Sequence, residues 1–304
     1  MVNMVTVALS LVSWTTKKAG FMEPCTVEIE AGTVMRFWVP SHSQTISKST
    51  KPAIVFLHAF CADGLANWMF QIISLSKNYA VYVPDFIFFG GSTTDKPDRS
   101  PSFQAECLAK GLKKLGVEKC AVVGVSYGGM VAFKMAELYS ELVQAVVISS
   151  SVLAIEECMV SRAVEDVGFS SCSEMLLPSS NEGLRTLLSI GVYRNIQFPN
   201  CMLSDFLQVM FSNRNERSEL LEALVNSYKD IHIPKFSQPI HLLWGEKDKI
   251  FKPEIAHKIK ERLGNNTTFE VIKKAGHLVN LERPCIYNKC LKKFLSSVMI
   301  DGKK

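Results

Sequence analysis

The chain has 304 residues, of which 47% are hydrophobic and 21% are charged, a composition typical of a folded globular protein rather than a disordered one. Its net charge of +5 is too small, and its basic residues are too dispersed, to indicate a protein that binds nucleic acid. The nine cysteines are odd in number and lack the spacing of a zinc site or a disulfide framework, so we expect reduced thiols, no metal and a cytoplasmic location.

The first segment of the chain, residues 1–14, carries no charged side chain and is rich in Val, Leu and Met. Lys17 and Lys18 follow it, whereas a secretory signal peptide has its basic residues before the apolar stretch, so a cleaved leader is the least favoured interpretation. No run of about 20 apolar residues occurs in the sequence, which predicts no membrane-spanning helix. The segment predicts a short helix that lies on the domain, and contact with a lipid surface is the alternative.

Short apolar runs alternate with helical segments along most of the chain. The predicted strands are residues 26–30, 33–39, 53–57, 79–83, 120–124, 143–148, 240–244 and 269–272. The predicted helices are residues 65–76, 103–115, 127–139, 253–263 and 285–298. Ala31-Gly32 joins the first two strands and predicts an opening hairpin. The alternation of buried strands with helices predicts an α/β fold with a mostly parallel, doubly wound sheet.

The alternation stops in the helical insertion, residues 152–237, where the pattern is helical and strand-like runs are scarce. This predicts a core of residues 1–151 and 238–304, with the insertion as a cap over the carboxyl edge of the sheet, where open parallel sheets bind ligands. We expect most of its large apolar side chains to pack on the core and a minority to line an apolar pocket. These side chains are Met175, Leu176, Leu187, Leu188, Phe198, Met202, Phe206, Met210 and Phe211.

A G-x-S-x-G motif, from Gly124 to Gly128, lies directly after the predicted strand 120–124 and before a predicted helix. The motif alone is a weak signal, but in this setting the serine projects from a sharp turn at a helix N-terminus. The glycines are required because a Cβ atom on either neighbour would clash in so tight a turn. The motif therefore predicts Ser126 as a catalytic nucleophile.

A serine hydroxyl is a poor nucleophile until a base takes its proton. His277 lies in the loop after the last predicted strand, where a base for Ser126 is expected. The remaining histidines fit this role less well, because they lie in a polar loop, near the insertion boundary, inside a strand or in a surface helix. The sequence therefore predicts His277 as the base.

The base needs a carboxylate that fixes its tautomer and stabilises its charged form. Asp248 follows the strand 240–244 and is favoured over Glu246, which lies closer to the strand end. The rival position after the strand 143–148 has no carboxylate until Glu156. The order Ser126, Asp248, His277 matches nucleophile, acid and base for a sheet of this kind.

Two backbone N–H groups are expected to bind the oxyanion of the reaction. One is that of Tyr127, the residue after the nucleophile, and the other is that of Phe60, in the loop after the strand 53–57. His58 precedes Phe60 in the same loop, and we expect it to be structural.

These motifs resemble the α/β-hydrolase superfamily, and the stretches 26–39 and 62–68 look like plant members of its monoacylglycerol-lipase-like branch. The resemblance implies a capped esterase or lipase that works without a cofactor and hydrolyses an apolar small-molecule ester through an acyl-enzyme on Ser126. Relatives that open epoxides carry Asp at the nucleophile position, and relatives that cleave carbon–carbon bonds usually carry Trp after the catalytic His. Here Ser126 and Leu278 occupy these positions.

The sequence departs from the family pattern at two places. Ala59 stands where relatives have the glycine of a His-Gly pair, which affects the expected oxyanion loop. After Asp85, expected to be a turn residue, come Phe86, Phe88 and Phe89, and we expect them to add apolar bulk near the pocket mouth. These departures leave open a specialised reaction, such as acyl transfer, carbon–carbon bond hydrolysis or decarboxylative ester hydrolysis. A non-hydrolytic small-molecule receptor that keeps the three residues is a separate alternative, which the sequence does not distinguish from a slow enzyme. The oligomeric state is not predicted.

Overall fold

The computed structural model describes residues 2–19, 21–41, 51–153, 164, 168–194, 196–226 and 234–299. Its strands are β1 (Met22–Glu30), β2 (Thr33–Pro40), β3 (Ala53–Leu57), β4 (Ala80–Pro84), β5 (Thr93–Thr94), β6 (Cys120–Val125), β7 (Val143–Ser149), β8 (Ile240–Gly245) and β9 (Thr267–Ile272). Its helices are α1 (Met4–Lys18), α2 (Gly64–Leu75), α3 (Pro101–Lys114), α4 (Tyr127–Leu138), α5 (Cys172–Leu176), α6 (Asn181–Gly191), α7 (Asn200–Met210), α8 (Arg214–Asn226), α9 (Pro253–Leu263), α10 (Val279–Glu282) and α11 (Pro284–Met299).

The strands form one sheet in the order β1-β2-β4-β3-β6-β7-β8-β9, with the short β5 paired to β2. β2 is antiparallel to β1, β4 and β5. The pairings β4–β3, β3–β6, β6–β7, β7–β8 and β8–β9 are all parallel. This confirms the predicted α/β fold, the mostly parallel sheet and the opening hairpin. Because β6, β8 and β9 run in the same direction, the residues that follow them lie along one edge of the sheet.

Apolar layers cover both faces of this sheet. Neighbouring side chains of a strand point to opposite faces, so Val122 packs in the layer with α3 and α4, and Val123 packs in the layer with α2 and α11. Every residue of β6 is buried. A strand buried on both faces reads as a continuous apolar run, which is why the sequence predicts it closely.

The described residues between β7 and β8 form helices α5 to α8 and no strand. This agrees with the helical pattern of the insertion, whereas the division into a core and a cap stays a prediction.

The N-terminal helix α1 lies on the domain, as its sequence predicts. It contacts α2, α7 and β1. The Asn3 side chain accepts the N–H of Thr6 at 2.9 Å and caps the helix. The backbone N–H of Met4 donates to a carboxylate oxygen of Asp205 in α7 at 2.7 Å. Among the described helices, none combines the length and the apolar character that a membrane crossing requires.

Candidate active site

The turn between β6 and α4 holds Ser126 in a strained backbone conformation, with φ 53° and ψ −121°. A Cβ atom at Gly124 would lie 2.3 Å from the carbonyl oxygen of Gly128, and one at Gly128 would lie 2.2 Å from that of Leu57. The N–H of Ser126 donates to the carbonyl of Ser149 at 3.0 Å, which ties the turn to β7. Close packing and hydrogen bonds thus stabilise the strained residue and place it at the start of α4.

His277 and Asp248 form a buried pair behind this turn. The Nδ1 atom of His277 lies 3.2 and 3.1 Å from the two carboxylate oxygens of Asp248. One of these oxygens also accepts the backbone N–H groups of Ile250 and Phe251, both at 2.9 Å. These two hydrogen bonds hold the carboxylate in the orientation that faces the imidazole. A proton on Nδ1 that is shared with Asp248 leaves Nε2 of His277 as the nitrogen that can accept another proton.

Ser126, His277, Phe60 and Tyr127 all line one cavity of about 640 Å³, and Asp248 lies behind His277. The structure thus brings the predicted residues to one place, although they are far apart in the sequence. In the described part of the chain, the hydrogen bonds of the His277 ring run to Asp248 and not to the Ser126 hydroxyl. Such contacts are often long without substrate and shorten when it binds.

The cavity is mainly apolar, and the helical insertion supplies much of its lining. Of the nine large apolar side chains singled out in the insertion, a majority line it, more than the expected minority. These are Met175, Leu176, Leu187, Leu188, Phe198 and Phe206. The charged part of the lining includes Arg194 and Lys274, both exposed, so this part faces the solvent.

The expectation for Phe86, Phe88 and Phe89 is wrong, because all three are buried and, among the described residues, the cavity lining omits them. The ring centroids of Phe89 and Phe60 are 5.2 Å apart. The guanidinium of Arg217, in α8, lies over the ring of Phe89, 4.0 Å from its centroid. Arg217 also donates to the carbonyl of Phe88 at 3.0 Å. The phenylalanines therefore pack between the expected oxyanion loop and the insertion.

His58 is structural, as expected. Its Nε2 accepts the N–H of Phe86 at 3.0 Å, so the proton lies on Nδ1, which donates to the carbonyl of Ala59 at 2.8 Å. Complete burial lowers the pKa of His58 to about 3, although the hydrogen bond to Ala59 opposes this shift. The neutral ring joins the loop of Phe60 to the segment after β4.

Asp85 is also a turn residue, as expected. Its carboxylate accepts the N–H of Gly64, the first residue of α2, at 2.8 Å. Burial, and then the nearby carboxylate of Asp63, raise the pKa of Asp85 to about 7. This side chain holds the turn rather than reacting, because its partners are backbone groups.

The sequence reasoning missed Asn67, in the first turn of α2. Its side-chain oxygen accepts the N–H of Ala59 at 2.9 Å, and its own carbonyl accepts the side chain of Asn280 at 2.8 Å. Asn280 follows His277 by three residues, so Asn67 joins the loop that carries Phe60 to the loop that carries the histidine. A polar side chain on the buried face of an amphipathic helix was the available signal.

Comparison with known proteins supports the fold that the structure shows. A family model described as the α/β-hydrolase fold matches residues 52–175. The crystal structure of a membrane phospholipase A superposes with a TM-score of 0.78 over 97% of this chain and 92% of that chain, at 20% identity. The chain has the α/β-hydrolase fold. The 2-hydroxy-6-oxo-6-phenylhexa-2,4-dienoate hydrolase of Rhodococcus sp. strain RHA1 has the same fold, with a TM-score of 0.71, 21% identity and coverage of 90% of this chain and 98% of that chain.

Two curated relatives are similar to this chain over most of its length. Monoacylglycerol lipase ABHD6 of Homo sapiens is 26% identical over 272 residues, which cover 82% of this chain and 76% of the relative. Epoxide hydrolase 4 of Homo sapiens is 23% identical over 274 residues, which cover 84% of this chain and 75% of the relative. The names of these relatives support a hydrolase and include two different reactions.

Proposed function

We propose that this protein hydrolyses a carboxylic ester with an apolar acyl group through an acyl-enzyme on Ser126. The observation that carries the proposal is the shared cavity: a serine in a strained turn and a histidine paired with a buried carboxylate line the same apolar space. Its volume of about 640 Å³ is within the range of small-molecule sites.

In the proposed reaction, the Ser126 hydroxyl attacks the ester carbonyl while Nε2 of His277 accepts its proton. Asp248 stabilises the imidazolium that forms. The backbone N–H groups of Phe60 and Tyr127 bind the oxyanion. His277 then gives the proton to the leaving alcohol, and a water molecule, activated by the same imidazole, attacks the acyl-enzyme and releases the acid.

Two of the similar proteins carry names that point to different reactions, and the residue at the nucleophile position favours one of them. Epoxide opening in this superfamily uses an aspartate there, whereas this chain has Ser126. Similarity to monoacylglycerol lipase ABHD6 supports an acyl ester as the substrate class. The helices α6 to α8, which contribute to the cavity lining, support the proposed role of residues 152–237 as a cap.

The test is turnover of a series of p-nitrophenyl esters from acetate to laurate. The apolar lining predicts that kcat/KM rises with chain length by up to about fourfold for each CH₂ group buried, until the cavity is full. Ser126→Ala should abolish turnover. Ser140→Ala is the matched control, because this exposed serine lies in the turn that precedes β7, at the opposite edge of the sheet.

The alternatives give other results in the same experiment. A small-molecule receptor would show ligand-induced thermal stabilisation without multiple turnover, and carbon–carbon hydrolysis or acyl transfer would show products other than the free acid and alcohol by mass spectrometry. Any of these results with folded wild type would contradict ester hydrolysis.

A further inference from the structure

The outward face of α1 is apolar, although it faces the solvent. Met4, Val7, Leu11 and Trp14 are each 52–58% exposed, and their spacing places them on one side of the helix. The opposite side packs on the domain through Val5, Leu9, Val12 and Thr16. A helix on the surface of a globular protein normally presents polar residues to water, so this face is built to meet an apolar environment.

The neighbouring helix α2 also exposes apolar side chains. Phe70 is 40% exposed and Ile73, one turn later, is 58% exposed, on a helix that α1 contacts. We call Met4, Val7, Leu11, Trp14, Phe70 and Ile73 the apolar surface.

The helices that α1 contacts also form part of the cavity wall. Helix α1 contacts both α2 and α7. Ala66 and Asn67 of α2 and Phe206 of α7 line the cavity. A molecule that leaves an apolar medium at α1 would therefore be next to helices that contribute to the proposed active site.

The basic residues in the last turn of α1 favour an anionic partner, whereas the carboxylate of Asp205 lies at its other end. Lys17 and Lys18 lie exposed in its last turn, and α1 itself contains no acidic residue. The whole chain carries a net charge of +5. Basic residues beside an exposed apolar helix face are the combination that binds anionic lipid headgroups and buries apolar side chains among acyl chains.

The helix is held in position before any partner binds. The Asn3 side chain donates to the Gln208 side chain of α7 at 3.1 Å, and the N–H of Met4 donates to Asp205. A docked helix loses little conformational entropy when it binds a surface, in contrast to a segment that must first fold.

We propose that the apolar surface docks this protein on an anionic lipid surface, with α1 lying in the plane of the headgroups. The docking is independent of ester hydrolysis, whereas delivery of apolar substrate from the lipid to the cavity rests on the proposed function.

Tryptophan fluorescence of the full chain tests the docking directly. Trp14 is exposed, whereas Trp38, Trp68 and Trp244 are at most 2% exposed, so a change on adding vesicles reports α1. With vesicles of phosphatidylcholine and phosphatidylserine, we expect a blue shift of the emission and quenching by brominated lipid. An unchanged spectrum, with the protein left in the supernatant after sedimentation of the vesicles, would overturn the proposal.

Variants identify the surface that binds. We expect Leu11→Gln with Trp14→Gln to lower the vesicle partition coefficient, measured by sedimentation, by about tenfold or more. The matched control is Leu138→Gln with Val271→Gln, which removes two exposed apolar side chains elsewhere and should bind like wild type. Equal binding by Leu11→Gln with Trp14→Gln would contradict docking through α1.

Two further measurements separate the remaining explanations. Light scattering that shows a wild-type dimer, and a monomer for Leu11→Gln with Trp14→Gln, would assign the apolar surface to a second copy and overturn the lipid proposal. Turnover of a short, water-soluble ester should be the same in both proteins, because neither residue lines the cavity. If the wild-type protein turns over the ester but does not bind vesicles, the docking proposal fails and the proposed hydrolysis stands. If it binds vesicles but does not turn over the ester, the proposed hydrolysis fails and the docking proposal stands.

Discussion

The carboxylate of Asp248 accepts two backbone N–H groups and also faces the imidazole of His277. In Asp248→Asn, the amide oxygen is expected to keep the backbone hydrogen bonds, so the NH₂ group faces Nδ1. This arrangement favours the tautomer with its proton on Nε2, which cannot accept the proton of Ser126. We expect kcat/KM for an ester to fall by about 10³–10⁴-fold with little change in fold.

Glu246→Gln is the matched control for this prediction. The Glu246 carboxylate accepts the N–H of Lys274 at 3.3 Å and lies on the same loop as Asp248. The variant therefore tests whether loss of any negative charge on this loop lowers kcat/KM. We expect near wild-type kcat/KM for Glu246→Gln. A larger loss of kcat/KM in Glu246→Gln than in Asp248→Asn would show that Asp248 is not the acid that pairs with His277.

His58 makes the stability of the protein depend on pH. Its pKa is lowered to about 3 in the folded state, whereas an unfolded histidine titrates near 6.5, so only the unfolded chain takes up the proton between these values. Its contribution is complete above about pH 6.5 and decreases as the pH falls, by up to about 1.4 kcal/mol per pH unit. Asp85, with its pKa raised to about 7, acts in the opposite direction, because its contribution is complete below about pH 4 and is lost as the pH rises.

Replacing His58 separates the two groups. In His58→Gln, the side-chain oxygen can still accept the N–H of Phe86, and Asp85 is unchanged. Urea unfolding at pH values from 4.5 to 6.5 should therefore show that wild type loses stability toward acid more steeply than the variant, by up to about 1.4 kcal/mol per pH unit. Equal slopes in the two proteins would contradict a buried neutral His58.

Helix α2 positions the loop that carries Phe60 through the side chain of Asn67. In Asn67→Ala, the N–H of Ala59 loses its acceptor, which we expect to lower the free energy of unfolding by about 1–3 kcal/mol. Because the loop then moves relative to Ser126, kcat should fall while KM changes little.

Asn288→Ala is the control for a purely structural effect. Its side chain belongs to the same group of buried amides and contacts Gln71 at 3.0 Å and the carbonyl of Phe70 at 3.3 Å, but it does not contact the loop of Phe60. We expect a similar loss of stability with normal kcat. A parallel fall of kcat and stability in both variants would show that Asn67 has no positioning role.

The bounds of an element could be predicted closely where the sequence has a residue that typically begins or ends it, such as Pro or Gly. Pro253 begins α9 and Gly264 follows its end, and the predicted bounds agree with the structure. β1 begins at Met22, earlier than the predicted residue 26, and therefore contains Pro24. The structure places β1 at the edge of the sheet, where a residue without an N–H group is tolerated.

Contacts between distant elements could not be predicted in this way. The segment of Phe86, Phe88 and Phe89 is apolar in sequence, which suits a pocket mouth as well as a core. Arg217 holds this segment in the core through the carbonyl of Phe88 and the ring of Phe89, although it lies more than a hundred residues away in the chain. No local pattern relates an arginine of α8 to the carbonyl of Phe88.

At the scale of the whole molecule, the candidate site could be predicted because parallel strands end at the same edge. Ser126 follows β6, Asp248 follows β8 and His277 follows β9, so the strand order brings three distant residues together. The shape of the cavity depends on how α5 to α8 pack on the core, and the direction of each side chain there is a tertiary property. The substrate length therefore requires measurement.

Covalent labelling with a fluorophosphonate tests the central claim most directly, because only an activated serine reacts quickly with it. Intact mass and peptide mapping of wild type should show one adduct, on the peptide that contains Ser126. Ser126→Ala should remain unlabelled under conditions in which Ser140→Ala labels like wild type. A folded wild type without an adduct, or an adduct of equal yield in Ser126→Ala, would contradict Ser126 as the nucleophile.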